Sequence, residues 1–135
     1  MRILAIDYGD VRTGLAVSDA TGTIAGEAWV IQEKNPAALA ALIAQEASAR
    51  AVRRIVVGYP RNMDGTSGFR AQKSEDLMTL LKAECDIDVI PWDERMTTMS
   101  ANRILTEAGK RGKKRKQTVD AVAASLILES YLLSL

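Results

Sequence analysis

Four acidic residues stand where the sequence predicts that strands end or a helix begins. Asp7 follows Ile3-Leu4-Ala5-Ile6, Asp93 and Glu94 follow Ile87 to Trp92, and Asp120 precedes Ala121-Val122-Ala123-Ala124. Ile3 to Ile6 is a continuous apolar run, as expected of a strand covered on both faces. A carboxylate at the mouth of such a strand is held rigidly, where a metal ion or a phosphate could meet it. Three convergent carboxylates repel one another unless divalent cations lie among them. Two such ions about 4 Å apart activate a water and stabilise the leaving oxygen in phosphodiester cleavage.

Composition narrows the chemistry. The chain has no histidine, which removes His-dependent triads, His metal sites and His general bases. Cys85 is the only cysteine, so an internal disulfide and a thiolate zinc site are excluded. The remaining metal ligands are mostly oxygens, which suit Mg²⁺ or Mn²⁺. Each acid also has a plain structural use. Asp7 can open a turn, Asp120 in a first helical turn can complement the macrodipole, and Glu94 can pair with Arg95 or Arg103 on the surface.

The elements that must position these residues read as βββαβαβαα. Strands are expected near 2–8, 12–19 and 23–31, with Thr13-Gly14 and Thr21-Gly22 as punctuation of an antiparallel meander. Asn35-Pro36 opens a helix, with Asn35 as cap and Pro36 in the first turn. Arg54 to Gly58 is the fourth strand, and Tyr59 to Gly68 a loop rich in turn residues. A second helix runs to about Glu84, and Ile87 to Trp92 is the fifth strand. A third helix ends before Gly109, and a last one starts at about Thr118. If strands one, four and five are parallel neighbours, their carboxyl ends share the edge where α/β sheets bind ligands. Asp7 and Glu94 would then face each other, with Asp120 brought between them. At 135 residues the chain is read as one domain, 1–135.

The net charge of +1 hides an uneven distribution. Lys110 to Lys116 holds six cations in seven positions, leaving 12 of the 18 cations against 17 acids elsewhere. This segment is expected to be a flexible electrostatic arm for nucleic-acid phosphates, with Lys113, Lys114 and Lys116 as contacts. Arg12, Asn62 and Arg95 are expected around the acids, within reach of phosphates. Six aromatic residues give no stacking platform, so backbone and shape should be read rather than base identity. Met1-Arg2-Ile3 leads straight into the first strand, without a signal or transit pattern, and no apolar run is long enough for a bilayer. A cytoplasmic location and no membrane partner are therefore expected.

Together these residues resemble the YqgF (RuvX) family of Holliday-junction-resolvase-like proteins, also described as pre-16S ribosomal RNA nucleases. The resemblance runs nearly end to end. It rests on Ile6-Asp7-Tyr8-Gly9 with Arg12, Gly14 to Asp19, Gly58-Tyr59-Pro60 with Asn62 to Gly65, Asp93 to Thr98, and Asp120 to Ala124 with Leu128 and Tyr131-Leu132. It implies an α/β ribonuclease H-like fold, a mixed five-stranded sheet of order 3-2-1-4-5 flanked by helices. It also implies that Asp7, Glu94 and Asp120 are catalytic and bind Mg²⁺ or Mn²⁺. The substrate would be precursor rRNA or branched DNA, with a homodimer allowed. Val11 departs from the family's usual Lys, Thr13 from Ile and Tyr59 from Leu. Two other classes share parts of the pattern. A sugar-kinase or actin-type ATPase would need a second domain and a second phosphate loop, and a non-catalytic RNA-binding adaptor would keep the fold without turnover.

Overall fold

The computed structural model describes residues 1–60, 68–94 and 112–135. Its five strands are β1 (Arg2–Asp7), β2 (Arg12–Ser18), β3 (Ala25–Gln32), β4 (Val52–Tyr59) and β5 (Asp88–Asp93). Three helices are described: α1 (Pro36–Ala49), α2 (Phe69–Glu84) and α3 (Gly112–Leu133). The strands form one sheet in the order β3-β2-β1-β4-β5. β1 pairs antiparallel with β2, and β2 with β3, which is the expected meander. β4 pairs parallel with β1 and β5 parallel with β4, so the carboxyl ends of β1, β4 and β5 share one edge.

Alternation along β1 builds the two layers. Leu4 and Ile6 face one side of the sheet and pack with Leu39 and Ile43 of α1 and Leu77 and Leu81 of α2. Ile3 and Ala5 face the other side and pack with Ala124, Ile127, Leu128 and Tyr131 of α3. Successive strand residues point to opposite faces, so Asp7 continues the Ile3–Ala5 row onto the α3 side. Truncating a fully buried residue such as Leu4 or Ile55 would cost about 2–5 kcal/mol. Asn35 caps α1 by accepting a hydrogen bond from the Ala38 amide at 3.1 Å.

Two expectations need correction. The last helix begins at Gly112, not near Thr118, so Lys113, Lys114 and Lys116 lie in helical backbone rather than in a loop. Lys and Arg are good helix formers, and water and salt screen the repulsion between them. Asp120 is consequently about two turns into the helix, not in its first turn, which removes the macrodipole as its reason. β4 also starts two residues earlier than expected, because Val52 is buried and pairs with Arg2 of β1. The helix expected over 101–109, together with Asn62 and Arg95, lies outside the described residues. No described helix is long and apolar enough to cross a membrane.

Candidate active site

Three strand ends and one helix build the site, and glycines set its spacing. Asp7 ends β1 opposite Gly14 of β2. A methyl group at Gly14 would lie 2.0 Å from the carbonyl oxygen of Asp120, so only glycine lets α3 pack down on β2 at that point. On β4, a methyl group at Gly58 would lie 2.6 Å from Glu94 Oε1 and 2.8 Å from Ile127 Cδ1. The missing side chain of Gly58 is thus the space into which the Glu94 carboxyl folds. The β1–β2 turn is closed by Thr13, whose buried hydroxyl accepts from the Gly9 amide at 3.4 Å. A side chain without a hydroxyl could not do so.

Asp7 and Glu94 meet across this space and share a hydrogen bond. Burial pushes the Asp7 carboxyl up to about 7, and the charges of Glu94 and Asp120 push the same way. Glu94 is raised too, again chiefly by burial, while its bond to Asp7 and the charge of Arg70 pull it back. Both carboxyls therefore hold their protons to higher pH than free acids do, as a closely coupled pair. Asp120 is close enough to act on Asp7 through its charge, and it forms an ion pair with Arg12, whose Nε lies 3.4 Å from Oδ2. Arg12 Nε is buried and makes no hydrogen bond. Two of the three predicted acids are thus in direct contact, and the third stands beside them on Arg12. Among the described residues, no group of three acidic or thiol side chains is gathered tightly enough to hold a metal ion.

A cleft of about 40 Å³ opens over the pair, lined by Asp7, Tyr8, Gly58, Arg70, Lys73 and Glu94 among others. That volume holds one water or one ion. Arg70, Lys73 and Tyr8 were absent from the sequence-derived site. Their signal was the i, i+3 spacing of two cations at the start of a helix. Two hydrogen bonds bring that helix start to the cleft. Buried Ser74 donates to the Gly58 carbonyl at 3.3 Å, and the Tyr59 hydroxyl donates to Glu75 at 2.6 Å. The second bond needs the Tyr59 hydroxyl.

A mixed sheet of this order, with acids at the carboxyl edge and a long helix over β1, defines a ribonuclease H-like domain. Comparison with solved structures gives the same fold. Thermus thermophilus RuvC, solved in complex with a Holliday junction substrate, superposes with a TM-score of 0.65 at 12% identity, covering 99% of this chain and 96% of that one. The Fowlpox virus resolvase, in complex with Holliday junction DNA, gives a TM-score of 0.61 at 15% identity, covering 99% and 98%. The chain belongs to the RuvX family, described as Holliday junction resolvase, whose model matches residues 1–134. A Halothermothrix orenii protein named "Putative pre-16S rRNA nuclease" is 45% identical over 132 residues, covering 98% of this chain and 94% of the relative.

Proposed function

We infer that residues 1–135 form a single nuclease domain that hydrolyses phosphodiester bonds in structured nucleic acid. The observation that carries this reading is the Asp7–Glu94 pair, two half-buried carboxyls hydrogen-bonded to each other at the carboxyl edge of a ribonuclease H-like sheet. Burying two acids together costs stability, and such costs concentrate where chemistry needs them. The donor set fits a divalent cation. Both ligands are hard oxygens, Gly58 leaves them room, and the two carboxyls already converge on one another through a hydrogen bond.

Asp7 and Glu94 would hold Mg²⁺ or Mn²⁺, with Asp120 joining once it releases Arg12. Bound there, the cation supplies Lewis acidity and a lowered pKa for an attacking water. Arg12, freed from Asp120, is then available to a substrate phosphate. Asn62, Arg95, Lys113, Lys114 and Lys116 are assigned to the same nucleic-acid surface on their sequence positions. The name carried by the relatives makes precursor 16S rRNA the first substrate to test, and implies a cytoplasmic protein. The junctions bound by the structural neighbours make branched DNA the second. A junction is two-fold symmetric, so its resolution calls for a dimer, whereas trimming of rRNA does not.

The test is cleavage of precursor 16S rRNA and of a four-way DNA junction, with Mg²⁺, Mn²⁺ or chelator. Asp7→Asn and Glu94→Gln should each abolish metal-dependent cleavage while the protein stays folded. Full activity in either variant would overturn the site. Tight binding of both substrates without cleavage under any metal condition would leave the adaptor reading instead.

A further inference from the structure

Two cations and one acid at the mouth of the cleft take no part in the reading above. Arg70 and Lys73 lie one turn apart on α2, and both line the cleft beside Asp7 and Glu94. The Ser74–Gly58 and Tyr59–Glu75 bonds fix this part of α2 to the end of β4. The two cations therefore occupy set positions over the acidic pair. Arg70 is exposed, and its charge acts on Asp7, Glu94 and Asp10 together. Lys73 Nζ donates to Asp10 Oδ1, a carboxylate at the exposed tip of the β1–β2 turn.

A carboxylate and a phosphodiester are both oxyanions, and each satisfies an ammonium through the same contact. The side chain of Asp10 is 70% exposed, and exposed ion pairs are weak and screened by salt. A polyanionic backbone, which also meets Arg70, can displace it. We propose that Arg70 and Lys73 bind a backbone phosphate at the mouth of the acidic cleft, and that Asp10 holds Lys73 until that phosphate takes its place. This latch rests on the nucleic-acid reading above and adds a positioning pair and a built-in competitor to it. Asp10 also offsets the charge of Lys73, so that a polyanion must engage Arg70 and displace Asp10 together.

The test is binding of a fluorescein-labelled four-way DNA junction across a salt series, with chelator present so that no strand is cut. Wild type is compared with Asp10→Asn, Lys73→Ala, Arg70→Ala and the Asp10→Asn/Lys73→Ala double variant. Asp10→Asn should tighten binding by roughly threefold to tenfold at low salt and steepen the log–log salt slope by up to about 0.9. Lys73→Ala and Arg70→Ala should each weaken binding and flatten the slope by about the same amount. In the Lys73→Ala background, Asp10→Asn should gain nothing, a coupling that a general charge effect would not produce. An equal gain from Asp10→Asn in both backgrounds, or none in either, overturns the latch while leaving the nucleic-acid reading intact. An unaltered slope in Arg70→Ala overturns its share of the phosphate site. Wild type that shows no salt-dependent binding overturns the nucleic-acid reading and the latch with it.

Discussion

Asp7 and Asp19 follow one another along the same β-meander, yet their surroundings drive them in opposite directions. Asp19 is half-exposed, and its carboxylate accepts from the Thr23 and Ile24 amides at 2.8 and 3.0 Å and from the Thr21 hydroxyl. Those bonds, led by the one from Ile24, hold it well below the usual carboxylate range. Asp7 is raised by burial and meets another acid. One carboxylate is fully served by its own turn and stabilises the hairpin as an anion. The other meets a second acid, with Arg70 as a cation whose charge reaches it. The contrast separates an acid satisfied by its own turn from one that the proposed function puts to chemical use.

The largest expected effect is on the unserved acid. Asp7→Asn should lower metal-dependent cleavage by about a thousandfold, since the metal supplies several kcal/mol of transition-state stabilisation. The same substitution should raise the stability of the metal-free protein at pH 7, by something on the order of 2–4 kcal/mol, because it removes a buried acid. Asp19→Asn should leave cleavage unchanged. A loss of cleavage there comparable to that of Asp7→Asn would erase the distinction.

The next effect is steric. Gly58→Ala places a methyl group against Glu94 and Ile127. It should cost about 1–3 kcal/mol of stability and, by shifting the Glu94 carboxyl, cut cleavage by about 10²-fold. Thermal melts and initial rates on one preparation check both. Wild-type stability with wild-type activity would show that the Glu94 pocket is loose.

The smallest effect separates the two acids by pH. The folded Asp7 binds its proton more tightly than the unfolded chain does, so the metal-free protein should lose stability as pH rises from about 4 to about 7. Asp19 has the opposite sign. Its stabilisation is present above the unfolded carboxylate pKa and fades as pH falls below it. Melting temperatures of Asp7→Asn should lose the first slope and keep the second, and those of Asp19→Asn should do the reverse. Parallel profiles in the two variants would contradict the assignment.

Much of this was readable from residue order. The apolar run Ile3–Ile6, the glycine punctuation of the hairpins and the Asn35-Pro36 cap are local signals, and they placed the strands, the first helix and two of the three acids. What sequence could not give depends on approach in space. The Lys-rich start of α3 reads as a solvated loop, because local charge density says nothing of the packed helix that continues from it. Gly14 and Gly58 read as turn or strand breakers, and only their contacts with Asp120 and Glu94 reveal close packing. Arg70 and Lys73 read as the polar face of a surface helix until Ser74 and Tyr59 tie that helix to β4.

The proposed function requires that a divalent cation replace the hydrogen bond between Asp7 and Glu94. The most direct test is the titration of the Asp7 side-chain carboxyl by ¹³C NMR, with and without Mg²⁺. The midpoint should lie at about 7 without metal and fall when Mg²⁺ is added. A midpoint in the ordinary aspartate range of about 4 that does not respond to Mg²⁺ would contradict it.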